Sequence, residues 1–244
     1  TATLVHDDII DNSDLRRGKT TVNVAWSNSH GVLIGDFIYS KAFMLMNEIG
    51  NFKVIDELSS ATNKIAEGEL MQLANKNNLN TSLQQLKKIS YYKTGRLFEA
   101  SAKSAAMLSG KSIPFIENIS KAAKLIGIAF QVRDDLLDYG VSKGNIGKPE
   151  MQDILEDKIT YPLYFALKYS NKKDSSKILK KLKNKDFSIK EVADFVSSSN
   201  AFNKCNSLIQ NYNNEISKCI NQISNKEIRD EMLNLSESLK NRYE

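Results

Sequence analysis

Helix breakers are scarce in this chain. Three prolines and 11 glycines in 244 residues exclude a turn-rich β architecture and favour long helices. Cysteine is rarer still: Cys205 and Cys219 have no metal-ligand spacing. Two thiols in so long a chain exclude a disulfide scaffold and point to a reduced, cytoplasmic setting. No apolar run reaches the ~18 residues needed to cross a membrane, and no signal peptide is visible. No alternating strand pattern and no internal repeat of solenoid length is present.

What is present suffices for one large domain with a real core, at 41% hydrophobic and 26% charged residues. Net charge is +5 with a pI near 9.0. Much of the excess lies between Lys172 and Lys190. That stretch has no interleaved aromatics for base stacking, and Ile178, Leu179 and Leu182 give it one apolar face. It reads as a solvated helix docked on the core, not as a nucleic-acid surface. The chain opens at Thr1, already inside a helix-like apolar segment, so N-terminal helices are expected to be missing from it.

Apolar spacing predicts helices over Gly31–Glu48, Phe52–Leu73 and Ser82–Leu108, the last interrupted at Lys93-Thr94-Gly95. A further helix starts near Pro114. It runs through Ala122, Ala123, Ile126, Ile128 and Phe130. Leu15–Thr21 reads as a basic loop, Gly140–Lys158 as a loop region, and four shorter amphipathic helices are expected after Ile159. Glu67 and Glu69 read as pairing within the helix layer. Trp26 and the Tyr91-Tyr92 pair read as packing, as do Phe43, Met44 and Met46. The fold class is all-α.

Two acidic clusters interrupt the apolar pattern. Asp7-Asp8-Ile9-Ile10-Asp11 and Asp134-Asp135-Leu136-Leu137-Asp138 are both D-D-x-x-D. On a helix the first and last Asp of each share one face, one turn apart. Like charges at that spacing repel, and Asp is a poor helix former. A stable protein carries that cost twice only if cations sit between the carboxylates. Oxygen-only clusters suit Mg²⁺, which commonly bridges to phosphate. The pattern therefore predicts two carboxylate walls gripping one diphosphate through magnesium. Arg16-Arg17-Gly18 follows the first cluster closely enough for its guanidiniums to clamp phosphate oxygens. Lys93, Lys148 and Lys158 each fall at a break or loop edge.

These motifs, with Gly35-Asp36, Gly147-Lys148-Pro149 and Lys158-Ile159-Thr160-Tyr161-Pro162, resemble the trans-isoprenyl diphosphate synthases, and within them the bacterial long-chain branch. The resemblance runs in order from Asp7 to Pro162, about two thirds of the chain. It implies a single-domain antiparallel helical bundle of the isoprenoid synthase type around a central deep cavity, spanning residues 1–244. It implies that Asp7, Asp11 and Asp134 bind Mg²⁺ directly, that Asp8, Asp135 and Asp138 complete the acidic shells, and that three ions are held with diphosphate bound. Arg16, Lys93, Lys148 and Lys158 correspond to groups on an allylic diphosphate, and Arg17 to one facing isopentenyl diphosphate. Thr94 and Gln131 correspond to groups beside the developing carbocation. The implied reaction is ionisation, condensation and elimination, with the proton leaving to pyrophosphate, so His6 is expected only to pack or hydrogen-bond.

In this family a large aromatic one turn before the first cluster stops chain growth. Ala2 and Thr3 stand there, so a long product is expected, hexaprenyl to decaprenyl with octaprenyl first. The resemblance also implies a homodimer, small diphosphate substrates, no nucleic acid, and a weak membrane-surface contact for product release. One departure is Met151-Gln152-Asp153, where the family usually carries a glycine; it leaves the role of Asp153 open. A second is the absence of the N-terminal lysine and arginine for isopentenyl diphosphate, so this stretch alone is expected to condense weakly or not at all. The alternatives are a shorter-chain synthase, a non-catalytic subunit of a heteromeric synthase, and a class I terpene cyclase. Subunits of the second kind commonly lose aspartates, and all six are present; the metal motif of the third is absent.

Overall fold

Where apolar residues recur at helical spacing, helices form. The computed structural model describes residues 1–140 and 151–240, and these are all-α apart from one short hairpin. They fall into two units, residues 1–56 and the residues from Glu57 onward.

The first unit holds α1 (Ala2–Ile10), the strands β1 (Leu15–Arg16) and β2 (Lys19–Thr20), α2 (Val22–Ala25) and α3 (Asn28–Ile49). Two glycines let α1 and α3 meet. A Cβ on Gly31 would stand 2.5 Å from Ile9 Cδ1, and one on Gly35 would stand 2.1 Å from His6 Nε2. His6 packs there with its Nε2 3.0 Å from the Val32 carbonyl oxygen. The expected basic loop is a hairpin pairing Leu15 with Thr20 and Arg16 with Lys19. Its tip residues Arg17 and Gly18 both take positive φ, 54° and 73°, which suits the right-handed strand twist. Several residues expected in the core lie outside it: Trp26 is 65% exposed and Met44 55%, and Phe43 is also exposed. Helical spacing marks an apolar face but not what covers it.

In the second unit, which takes most of α4 (Phe52–Ala74), α5 (Leu83–Ser90) opens on a capping box between Ser82 and Gln85. The expected interruption is a π turn, Tyr91–Gly95, leading into α6 (Arg96–Leu108). Such turns recur at functional sites. The spine is α7 (Ile113–Asp138), with Pro114 in its first turn. Leu125, Ile126, Val132 and Leu136 on α7 pack in one core with Leu163 on α9 (Tyr161–Tyr169), Val196 on α11 (Ile189–Ser198) and Ile216 on α12 (Ala201–Asn221). A Cβ on Gly127 would lie 2.7 Å from Gly95 Cα, so the π turn and α7 touch backbone to backbone.

The remaining helices are α8 (Gln152–Leu155), α10 (Lys172–Asn184) and α13 (Lys226–Lys240). Among the described residues five helices follow Ile159 where four were expected, because the α11–α12 break at Ser199-Asn200 uses neither glycine nor proline. On α10, Ile178 is buried while Lys172, Lys173, Lys177 and Lys180 are exposed, which is the solvated face read from the sequence. No described helix is long and apolar enough to cross a membrane.

Candidate functional site

The first acidic cluster occupies the last turn of α1. Asp11 caps it, donating its amide to the Asp7 carbonyl at 2.8 Å, so the two residues stand one turn apart. No basic residue lies in that turn. Carboxylates here oppose the negative end of the helix dipole, at ~0.3–1 kcal/mol each. Asp8 is buried, and Arg16 Nε and Nη2 each lie 2.7 Å from its Oδ1. The hairpin thus returns Arg16 to the cluster, while Arg17 stays exposed at the tip. Ala2 is buried and Thr3 half-buried in the first turn of the same helix.

The second cluster repeats the arrangement in the last turn of α7, again with no basic residue there. Asp138 accepts the backbone amides of Gln152 at 2.9 Å and Asp153 at 3.1 Å, capping α8 from outside. Asp135 is buried and accepts from Gln131 Nε2 at 2.9 Å and the Tyr161 amide at 3.3 Å. The Thr94 hydroxyl donates to Gln131 Oε1 at 2.8 Å. One chain of hydrogen bonds therefore links the π turn to the cluster. With its proton committed to Gln131, the Thr94 oxygen has only lone pairs left to offer. Burial pushes Asp135 up to about 7, with the Asp134 and Asp138 charges adding to it against the Gln131 and Tyr161 hydrogen bonds.

Asp153, left open by the sequence, is a member of this cluster. Burial and the charges of Asp135 and Asp138 push its carboxyl up, with the Lys158 ammonium opposing. Met151, before it, has φ 63° at the point where glycine was expected, a conformation that disfavours a side chain. Lys158 donates its amide to the Asp153 carbonyl at 2.8 Å, and its ammonium pairs with Glu156. Asp135 and Asp153 both hold protons longer in the native than in the unfolded chain. Each therefore adds stability below about pH 4 that is lost as the pH climbs to about 7 and beyond. Metal-free protein is expected to melt ~5 °C lower at pH 8 than at pH 5. Thermal unfolding in a chelator checks this, and an equal or higher melting point at pH 8 would contradict it.

Lys93 sits inside the π turn, its ammonium 2.9 Å from Glu69 Oε1 and 2.8 Å from Gln72 Oε1. The expected pairing of Glu67 and Glu69 within the helix layer is met by Lys64, 2.6 Å from Glu67, and by Lys93 for Glu69, a partner that the sequence analysis did not name. Lys148 lies outside the described residues. An open depression of about 230 Å³ lined by Lys111, Phe115 and Asn225 lies at the start of α7, the far end from Asp134–Asp138, and uses none of these groups.

The donor set of both clusters is carboxylate oxygen, which fits a hard divalent cation such as Mg²⁺. Among the described residues no three carboxylate, imidazole or thiol groups close around a metal.

A polyprenyl synthetase family model matches residues 1–199. The octaprenyl diphosphate synthase of Escherichia coli is 42% identical over 178 residues, 73% of this chain and 55% of that protein. The all-trans-nonaprenyl-diphosphate synthase (geranyl-diphosphate specific) of Rhodobacter capsulatus is 37% identical over 206 residues, 84% of this chain and 63% of that one. The chain spans about half the length of the octaprenyl-synthase relatives it matches. Among solved structures, a decaprenyl diphosphate synthase from Rhodobacter capsulatus covers the whole chain with a TM-score of 0.92 at 28% identity, using 76% of its own length. A polyprenyl synthase from Caulobacter crescentus, complexed with calcium and isoprenyl diphosphate, does so with a TM-score of 0.92 at 30% identity, using 75% of its length.

Proposed function

The chain belongs to the polyprenyl synthetase family, and from that premise we propose that its protein condenses isopentenyl diphosphate with an allylic diphosphate, farnesyl or similar, in trans, to a long-chain polyprenyl diphosphate. The observation that carries this reading is the pair of D-D-x-x-D clusters, each at the C-terminal end of a helix whose last turn holds no basic residue. Placement against the helix dipole makes sense for a group that must attract cations.

In this reading Asp7, Asp11 and Asp134 ligate Mg²⁺, three ions in all with diphosphate bound. Asp8, Asp135 and Asp138 support them; the Arg16 pairing of Asp8 and the amide contacts of Asp138 agree with that division. Bound Mg²⁺ supplies positive charge opposite the leaving diphosphate. Arg16, Lys93, Lys148 and Lys158 hold the allylic diphosphate, and Arg17 holds isopentenyl diphosphate. Thr94 and Gln131 offer oxygen lone pairs to the allylic cation, fixed in direction by their bond to each other and to Asp135. The proton lost after condensation goes to pyrophosphate, so no imidazole or thiol base enters.

Small residues at Ala2 and Thr3 leave room for a growing chain, and the named relatives span octaprenyl to decaprenyl products. Octaprenyl is the product proposed first. Ala2→Tyr is expected to shorten it by several isoprene units, read by chromatography of the dephosphorylated product; an unchanged length would remove Ala2 from the account. A cytoplasmic homodimer that releases its lipid product at a membrane surface completes the reading. The exposed row Leu33, Phe37 and Met44 on α3 favours a partner chain.

The test is transfer of radiolabelled isopentenyl diphosphate to farnesyl diphosphate by the full-length protein with Mg²⁺. Label in products of roughly hexaprenyl to decaprenyl length supports the reading. Label only in a 20-carbon product supports a shorter-chain synthase, and no transfer supports a non-catalytic subunit.

A further inference from the structure

Lys93 is held before any substrate arrives. Its ammonium has three donors, and three acceptor atoms lie within reach: Glu69 Oε1 at 2.9 Å, Glu69 Oε2 at 3.0 Å and Gln72 Oε1 at 2.8 Å. Glu69 and Gln72 are three residues apart on α4 and so share a face. The backbones are tied as well. A Cβ on Gly68 would stand 2.7 Å from the Lys93 amide nitrogen and 2.9 Å from Tyr92 Cβ. Glycine at 68 thus lets α4 press directly on the π turn, and the two acceptors beside it fix the end of an otherwise flexible side chain. Most of the pairing is shielded, with the Lys93 and Glu69 side chains 21% and 16% exposed.

We propose that Glu69 and Gln72 are positioning residues for Lys93, with Glu69 aiming the ammonium and Gln72 holding the donor that a diphosphate oxygen takes over. This rests on the reading that Lys93 binds the allylic diphosphate. An arriving phosphate oxygen must displace one acceptor. The carboxylate contact pairs two opposite charges, whereas the amide contact sets the ammonium against a neutral dipole, so the amide yields and the carboxylate stays. The ammonium then keeps its direction while one of its protons swings to the leaving group. Lysine needs such a partner because its stem is flexible and its charge is a point, unlike the planar fork of arginine.

The two residues are expected to affect different kinetic constants. Glu69→Ala lowers kcat by ~10–100-fold, the scale on which misplacing a catalytic group acts, and Glu69→Gln, which keeps an acceptor of the same shape, restores most of it. Gln72→Ala lowers KM for the allylic diphosphate, because substrate no longer displaces a bound amide, and a KM unchanged or raised would overturn the role given to Gln72. In the full-length protein the Glu69→Ala/Lys93→Ala double variant is expected to be no slower than Lys93→Ala alone. Multiplying effects, or a Glu69→Ala enzyme as fast as the parent, would overturn the proposal. Acetylation of the Lys93 amine by acetic anhydride, followed by mass spectrometry, reads the pairing without catalysis and is expected to quicken in Glu69→Ala. Quickened acetylation in a protein that transfers no prenyl group would overturn the function reading and leave the contact standing. An unchanged rate would overturn the positioning itself.

Discussion

Asp134→Ala is expected to lower kcat for prenyl transfer by ~10³-fold or more while raising the melting point of the metal-free protein. The loss of rate follows from removing a carboxylate that recruits positive charge to a leaving group, an effect worth several kcal/mol. The gain in stability follows from the same geometry. Asp134 lies in the last turn of α7, where the helix dipole disfavours a negative charge. It also repels Asp135 next to it, one reason that carboxyl is pushed up. Relief of both costs is worth ~1 kcal/mol, or ~2–4 °C in a chain of this size. Activity and stability thus move in opposite directions, which loss of a packing residue does not produce. Asp7→Ala is expected to lose activity similarly. Asp8→Ala differs: it leaves the Arg16 guanidinium without its carboxylate, so it destabilises as well as inactivates. Melting curves in a chelator and steady-state rates with Mg²⁺ read both quantities, and an Asp134→Ala protein that is less stable and still active would refute the assignment.

Arg96→Ala carries the largest expected loss of stability, ~3–5 kcal/mol, or ~10 °C. Arg96 and Glu57 are both buried and meet at 2.5 Å, and Glu57 also takes Lys103 at 2.6 Å. Glu99 accepts from Arg96 at 3.4 Å and from the Tyr91 hydroxyl at 2.7 Å. Tyr91 opens the π turn and Arg96 follows it, so this network clamps both ends of the segment carrying Lys93 and Thr94. Removing the guanidinium leaves the buried Glu57 and the half-buried Glu99 each short of a partner. Burial works against the ionised Glu57, yet the hydrogen bonds from Lys103 and Arg96 hold its carboxyl below the ordinary value. The stability Glu57 supplies is present above its unfolded value of about 4.5 and is lost as the pH falls through its lower folded value. Arg96→Ala should flatten that acid limb. Lys103→Met should cost far less, ~1 kcal/mol or below, because the lysine is 38% exposed. Urea titrations at pH 7 and pH 4 distinguish these outcomes; equal losses for the two variants would remove the clamp from the account.

The elements proposed to carry the chemistry were legible because their residues conflict with their surroundings. Six aspartates inside apolar helical runs have no packing explanation, and both clusters sit on helices as expected. The interruption at Lys93-Thr94-Gly95 was legible from a mid-helix glycine, though not its form as a π turn, which depends on Gly127 and Gly68 letting neighbouring backbones close in. Glu69 was legible as a paired residue of the helix layer but its partner was not, because Lys93 is 24 residues away. Asp153 carries no local signal at all: its membership in the second cluster follows from the α8 turn capped by Asp138. The hairpin at Leu15–Thr20 is too short for an alternating pattern to register. The exposed apolar residues of α3 show the limit of periodicity, which gives a face its width but not its cover.

The most direct test of the central claim is titration calorimetry of inorganic pyrophosphate into the full-length protein, with and without Mg²⁺. The account expects binding only with Mg²⁺, and at least ~10-fold weaker binding when either Asp7→Ala or Asp134→Ala is introduced. Pyrophosphate that binds equally well in a chelator, or that is indifferent to both substitutions, would show that these aspartates do not hold metal for a diphosphate.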